Sequence, residues 1–472
     1  MRNYRKWISG IAVFALNIIM ILSLLLCFIL FLAPHNAHLL RFSRIFAITV
    51  ITYPVMYAAF ARMFGGYDIG VERMRTIIFS LSLRVLLTNA ITYVEYLIMS
   101  YHSVLRNTLS PQPGEIPSLI YAFGVQLLII TAATLLGNFL YFKIQPPEKC
   151  CLVTSSKEEL KHVVPKIRKY GGRYQISAIM DYRDPELRKK IRDYEAVFFY
   201  GIPTDERVSL IEYSYHLDKN IYYSSEISDV ITRYSRVMIL DDLPFMEVRR
   251  DRMRVEQRIA KRLIDIVFSA IGLVVASPIM LICAVAIKLC DGGPVFYRQD
   301  RVTGDDRVFS IFKFRTMYEK SGNDFRSAGV DDDRITPAGR IIRKTRMDEL
   351  PQLINIIRGD MSIVGPRPEM VSNVQKYMSE LPEFNYRTRM KAGLTGIAQI
   401  EGKYNTSPRD KLILDLMYIE NFSLWLDLKL MINTLKVFFK KDSTEGFHSE
   451  DHPELEKYRF IADEIEKKSA NG

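Results

Sequence analysis

A chain of 472 residues with 49% hydrophobic and 25% charged content holds apolar segments beside soluble domains, enough for two or three domains in all. Five cysteines (27, 150, 151, 283 and 290) show no metal-ligand spacing, which argues against a zinc module or a disulfide framework. A net charge of +11 and a pI near 9.2 call for an anionic partner. The basic residues flank apolar runs, which favours anionic lipid over nucleic acid.

Residues 1–145 read as a bundle of four transmembrane helices. Apolar runs near 8–33, 45–63, 77–100 and 118–142 are each about long enough to cross a bilayer. The first is long and lacks a small-residue cleavage site, so no removable signal peptide is expected. Arg2, Arg5 and Lys6 flank the first run, Arg62, Arg73 and Arg75 separate the second and third, and Lys143 and Lys149 follow the fourth. The intervening loops carry His35, His38, Arg41, Arg44 and Arg106. The balance favours both ends in the cytoplasm. Arg84, Thr88, Thr92 and Glu95 share one helical face of the third run. A charge meeting lipid at mid-bilayer costs about 2.5–3.5 kcal/mol, so this face is expected to turn inward as a structural polar seam.

Residues 146–245 alternate strand and helix patterns. CCLVTS, QISAIM, AVFFYG, NIYYSS and RVMILD read as strands, with helices near 157–170, 184–193 and 204–217. The alternation predicts a doubly wound, Rossmann-like α/β domain. Its first strand leads into Thr154, Ser155, Ser156 and Lys157 rather than a Gly-x-Gly-x-x-Gly turn, so a degenerate module without dinucleotide is expected.

A catalytic α/β domain is expected over 249–441. It opens on the basic segment RRDRMRVEQRIAKR (249–262), directly before an apolar run from Leu263 to Leu289. That order suits a membrane-surface anchor. Ser277-Pro278 is expected to break the run near its middle. Lys288, Arg298 and Arg301 make the far flank basic too, so 263–290 reads as a re-entrant helix-break-helix returning to the cytoplasmic face.

The densest stretch is RKTRMDELPQLINIIRGDMSIVGPRPE, residues 343–369. Leu350, Leu353, Ile354, Ile356 and Ile357 predict a short buried helix starting at Pro351 and stopping at Gly359. Leu350, preceding proline, is expected outside the α region. Asp348 and Glu349 then sit just ahead of a helix N-terminus, where both carboxylates can face one pocket. An Asp-Glu helix entry is commonly no more than a solvated cap. Here Arg343, Lys344, Arg346 and Arg367 surround it, which suits phosphate binding and keeps Asp348 ionised. One carboxylate can attack phosphorus while the other holds a divalent cation.

This stretch resembles the signature of the bacterial polyprenol-phosphate phosphoglycosyl transferases, the bacterial sugar transferase family. Three further blocks resemble it in order: GGPVFYRQDRVTGDDRVFSIFKFRTM (292–317), AGLTGIAQIEGKY (392–404) and SLWLDLKL (423–430). The resemblance covers about 255–441. It implies Asp348 as nucleophile, Glu349 and Asp427 as Mg²⁺ residues, and Lys313, Arg315, Arg346, Arg367 and Lys403 around substrate phosphate. It further implies transfer of a sugar-1-phosphate from a UDP-sugar to a membrane polyprenol phosphate, with UMP released. The setting would be the bacterial cytoplasmic membrane, with the active site on the cytoplasmic face, opening surface-glycan synthesis. No nucleic acid is expected, and homodimerisation stays open.

Three positions depart from the family pattern. Thr303 and Asp306 stand where glycines are usual, and Lys403 replaces an arginine, turning a bidentate fork into one ammonium. The rival reading is a scaffold with a dead catalytic domain; its main support is the altered glycines. Beyond 411, Trp425, Leu428, Leu430, Met431, Leu435, Phe438 and Phe439 outline interfacial or plain core helices. The polar tail 442–472 carries His448 and His452, with no metal site expected.

Overall fold

The computed structural model describes residues 2–101, 111–248, 253–318, 332, 334–402 and 406–437. The chain divides into two compact units, one up to Ser224 and one from Ser225. Lys403, Phe438, Phe439, His448 and His452 lie outside the described residues.

The first unit opens with α1 (Arg2–Leu32), α2 (Arg44–Phe64), α3 (Met74–Ser100) and α4 (Glu115–Ile144). Each is long and apolar enough to cross a membrane. They bury Leu24, Phe28, Tyr53, Leu81, Val85 and Ile130 against one another. The polar seam turns inward as expected. Arg84, Thr88 and Thr92 are buried, and Arg84 donates to the Gly65 carbonyl with its guanidinium 4.7 Å from the Tyr57 ring centroid. Glu95, half-buried, accepts from Thr52 Oγ1 at 2.7 Å. An inward face thus keeps these groups from unmatched contact with lipid.

The α/β part follows: β1 (Glu148–Thr154), α5 (Lys157–Arg168), β2 (Tyr174–Asp181), α6 (Leu187–Ile191), β3 (Ala196–Tyr200), α7 (Thr204–His216) and β4 (Asn220–Tyr223). The strands form one parallel sheet in the order β2-β1-β3-β4. Leu152 packs with Leu160, Val164 and Ile167 on one face, while Cys151 and Val153 pack with Leu187, Ile191 and Leu210 on the other. Where a Gly-rich turn would lie, Ser156 Oγ simply caps α5, accepting from Glu159 N at 3.3 Å.

The second unit starts with α8 (Ile227–Arg233) and the antiparallel hairpin of β5 (Arg236–Leu240) and β6 (Leu243–Glu247). RVMILD is therefore not a fifth parallel strand. Asp241 adopts φ 59°, the left-handed conformation of a tight two-residue hairpin, and turns the chain straight back.

The helix α9 (Val255–Asp291) is the fifth helix long and apolar enough to cross a membrane among the described residues. It runs through Ser277-Pro278 without interruption, contrary to the expected break. Proline removes the N–H that would reach Val274 O, and Ser277 Oγ donates to that same carbonyl at 2.8 Å. One stripe of α9 is buried: Lys261, Asp265, Ser269, Ala276, Cys283 and Ile287. Its other side exposes Leu263, Val274, Val275, Leu281, Ile282 and Leu289.

The rest of this unit packs on that stripe. The hairpin β7 (Phe296–Val302) and β8 (Val308–Phe314) leads to α10 (Pro337–Lys344) and α11 (Gln352–Arg358). A parallel pair, β9 (Ser362–Val364) and β10 (Gly393–Thr395), brackets α12 (Val371–Glu380). The helices α13 (Ile397–Glu401), α14 (Pro408–Glu420) and α15 (Leu424–Val437) close the core around Phe309, Ile356, Val364, Phe384, Leu412 and Leu416. α14 buries Leu412, Ile413, Leu416 and Ile419 and is a core helix rather than an interfacial one.

Candidate active site

Arg346, at φ 53°, turns the chain out of α10 into a single 3-10 turn, Met347–Glu349. Leu350 has φ −55° and ψ −37°, inside the α region despite the following proline. Its N–H donates to Met347 O at 3.2 Å and its carbonyl accepts from Leu353 N at 3.2 Å, a continuity of turns that offsets the pre-proline preference. Pro351 caps α11, and Gly359, at φ 96°, ends it. Asn355, fully buried, locks α11 to the hairpin: its Oδ1 accepts from Phe312 N at 2.9 Å and its Nδ2 donates to Ser310 O at 2.9 Å.

That lock places β8 beside the carboxylates. Lys313 Nζ lies 3.5 Å from Glu349 Oε1, and Arg367 Nη2, from the Gly-Pro-Arg-Pro turn after β9, lies 3.4 Å from the same oxygen. Burial acts to raise the Glu349 pKa, but the charges of Lys313, Arg367 and Arg346 prevail and hold it below the usual carboxylate range. Asp348 goes the other way: burial and then the Glu349 charge raise it, against Lys313, Arg343 and Arg367. Burial lowers Lys313, with both carboxylates opposing. Two adjacent carboxyl groups thus differ in proton affinity, the division of labour that acid–base and nucleophilic sites use.

The seat beneath is held by residues that periodicity did not reveal. Arg387, buried, donates Nη2 to Arg367 O at 2.5 Å and pairs with Asp415 Oδ2 at 2.7 Å. Burial raises Asp415 to about 6 despite that guanidinium. Glu369 and Lys411, 3.4 Å apart, join the same cluster. The one sequence signal was Asp415 itself, a charge inside the apolar run of α14.

Two expected site residues have partners on α9. Arg315 pairs with Asp291 and donates Nε to Pro294 O at 2.6 Å, fastening the end of α9 to β8. Asp427 does not join Glu349. Its Oδ2 accepts from Lys261 Nζ at 2.6 Å and its Oδ1 from Tyr418 Oη at 2.7 Å, so a buried lysine and a tyrosine hold its two oxygens. Lys403 lies outside the described residues. The two altered glycines are accommodated. Asp306 adopts φ 57°, which aspartate tolerates, and buried Thr303 donates to Asp360 O at 2.9 Å and accepts from Ala392 N at 3.0 Å.

Two adjacent carboxyl groups of unlike proton affinity beside a lysine and an arginine, on an α/β body clamped along a long apolar helix, fit a membrane-associated enzyme of phosphorylated substrates. Residues 256–441 match the family model described as bacterial sugar transferase. A UDP-glucose:undecaprenyl-phosphate glucose-1-phosphate transferase of Caulobacter vibrioides is 39% identical over 40% of this chain and 73% of its own length. A UDP-N-acetylgalactosamine-undecaprenyl-phosphate N-acetylgalactosaminephosphotransferase of Aeromonas hydrophila is 42% identical over 37% of this chain and 43% of its own. The glucose-1-phosphate transferase of Klebsiella pneumoniae is 37% identical over 46% and 49%. The chain thus spans under half of the latter two. It belongs to the bacterial sugar transferase family, the polyprenol-phosphate phosphoglycosyl transferases, and with its long apolar helices is a bacterial membrane protein.

Proposed function

We propose that this protein transfers a sugar-1-phosphate from a UDP-sugar to a membrane polyprenol phosphate in two steps, with Asp348 as nucleophile. The observation that carries this is the split between the paired carboxylates: Glu349 held ionised by Lys313 and Arg367, and Asp348 raised beside it. An Asp348 carboxylate oxygen attacks the sugar-proximal phosphorus, the bond to the bridging oxygen breaks, and UMP leaves. A phosphate oxygen of the polyprenol phosphate then attacks the same phosphorus, and the aspartyl–phosphorus bond breaks to restore the carboxylate. Lys313 and Arg367 stabilise the equatorial oxygens in both steps.

Mg²⁺ fits this donor set. Among the described residues no three His, Cys, Asp or Glu side chains converge. Such an ion is commonly held by one or two carboxylates plus substrate phosphates, and Glu349 is the ionised hard-oxygen donor beside the attacking group. When bound it would neutralise charge on the diphosphate.

Detergent-purified protein incubated with UDP-sugar and no lipid tests the two-step reading. It should release at most one UMP per site and gain one sugar-phosphate mass on the peptide holding Asp348, removable by hydroxylamine and discharged by polyprenol phosphate. An active preparation, quenched rapidly in acid, that shows neither burst nor adduct would overturn covalent catalysis.

The four N-terminal helices cross the cytoplasmic membrane in this reading, while both ends of the unbroken α9 stay on the cytoplasmic side. Support comes from its two ends, which both hold the same body: Lys261 Nζ donates to Val364 O at 3.0 Å near the start, and Asp291 pairs with Arg315 at the end. A crossing helix would carry one of these contacts through the bilayer. Cysteine probes near residues 255 and 300, in a background lacking the native cysteines, should be labelled from one side of intact cells. Opposite accessibility would refute the arrangement.

A further inference from the structure

A small cavity adjoins Glu349. It measures about 100 Å³ and is lined by Arg346, Glu349, Leu350, Leu353, Leu394, Thr395, Gln399 and Thr434. Its walls are chiefly the three leucines, and its threonines are spoken for: Thr434 Oγ1 lies 2.7 Å from Thr395 Oγ1 and 2.7 Å from Leu430 O. The chamber therefore offers shape and a largely apolar surface, with Arg346, Glu349 and the unpartnered Gln399 Oε1 as its polar groups.

Three observations say what fills it. Leu353 faces α9, where a Cβ added at Gly272 would sit 3.4 Å from Leu353 Cδ1, so the apolar wall continues onto the helix face that exposes Phe268, Val275 and Ile279. Arg346, at the rim, carries the charge a lipid phosphate needs. Size decides the rest. An aliphatic cavity of about 150 Å³ takes up benzene, so this one suits a single branched isoprene unit and is too small for a hexose.

We propose that this cavity seats the phosphate-proximal isoprene unit of the acceptor lipid, an inference that rests on the polyprenol-phosphate reading above. The seat brings the lipid phosphate to Arg346, two residues before Asp348 in the chain. The remaining chain runs out along the exposed apolar side of α9. The cavity thus acts in the second step and leaves the first untouched, and it selects a branched chain over a linear one.

Leu394→Phe fills the cavity and Leu394→Ala enlarges it. In the filled variant the lipid-free UMP burst and the UDP-sugar KM should match wild type, while discharge by polyprenol phosphate slows about tenfold or more. Wild type should prefer farnesyl phosphate to a linear alkyl phosphate of equal length, and both variants should lose that preference. If the burst or the UDP-sugar KM moves instead, the cavity holds the sugar nucleotide and the proposal fails. Unchanged discharge and preference also overturn it. Equilibrium binding of farnesyl phosphate to the full chain in detergent keeps the two readings apart. Weaker binding to Leu394→Phe upholds the seat even if wild type shows no burst, whereas equal binding removes it. Thermal unfolding of both variants and the burst itself report that they fold.

Discussion

Asp348→Asn is expected to abolish UMP release from UDP-sugar, by at least about 10⁴-fold, since loss of a nucleophile elsewhere costs that much or more. The neutral amide has no lone pair suited to attack phosphorus, and no adduct should form. The variant should nevertheless fold as well as wild type or better. Burial and the Glu349 charge both raise Asp348, so its ionised form is disfavoured in the fold, and removing that charge relieves a cost. Thermal unfolding at pH 7 should show an equal or higher Tm. A raised pKa also fixes the acid limb of the burst rate: it rises with pH above the ordinary aspartate value of about 3.9. Glu349→Gln removes one cause of the raise, so it should move that limb to lower pH while cutting the plateau by orders of magnitude and weakening the response to Mg²⁺. Near-wild-type activity of Asp348→Asn, or an acid limb that stays put in Glu349→Gln, would show that the roles are assigned wrongly.

Much of this site was legible because its signals are local. Pro351, Gly359 and the leucine spacing mark a helix start, stop and buried face within the span 350–359. The four apolar runs of the N-terminal part needed only length and composition. What escaped is what depends on distant partners. Arg315 and Asp427 carry charges that a motif naturally assigns to phosphate or metal. Their partners, Asp291 and Lys261, lie on α9, and the Asp427 partner is 166 positions away in the chain. Leu350 was misread because the proline rule is a preference, and the turn hydrogen bonds on either side override it. The β5–β6 hairpin was within reach: Asp241-Asp242 between two apolar runs is a turn signal, though a weaker one than Asp-Gly. The break expected at Pro278 neglected its neighbour, since Ser277 supplies the donor for the carbonyl that the proline leaves without one.

The second large effect concerns the buried pair that fastens α9 to α15. Side chains of Lys261 and Asp427 are 9% and 3% exposed, with Nζ and Oδ2 2.6 Å apart. Tyr418 donates to the second carboxylate oxygen at 2.7 Å, and Lys261 also donates to Val364 O, just before the turn that presents Arg367. Lys261→Met leaves Asp427 buried without its cation and should cost about 3–5 kcal/mol, whereas Lys261→Met with Asp427→Leu replaces both charges by apolar groups and should be close to neutral. Burial already raises the Asp427 pKa, with Lys261 and then Tyr418 holding it down, so loss of the lysine raises it further. The sign follows from linkage. A carboxyl whose folded pKa lies above its unfolded value binds more protons when folded, so its contribution is present at low pH and lost as pH rises through the folded value. The stability gap between Lys261→Met and wild type should therefore be smaller at pH 5 than at pH 8, and the double variant should show little such dependence. Denaturant unfolding of the full chain in detergent at both pH values measures this. A gap that is constant with pH, or a double variant as unstable as the single, would mean that Lys261 acts through packing and not through its charge.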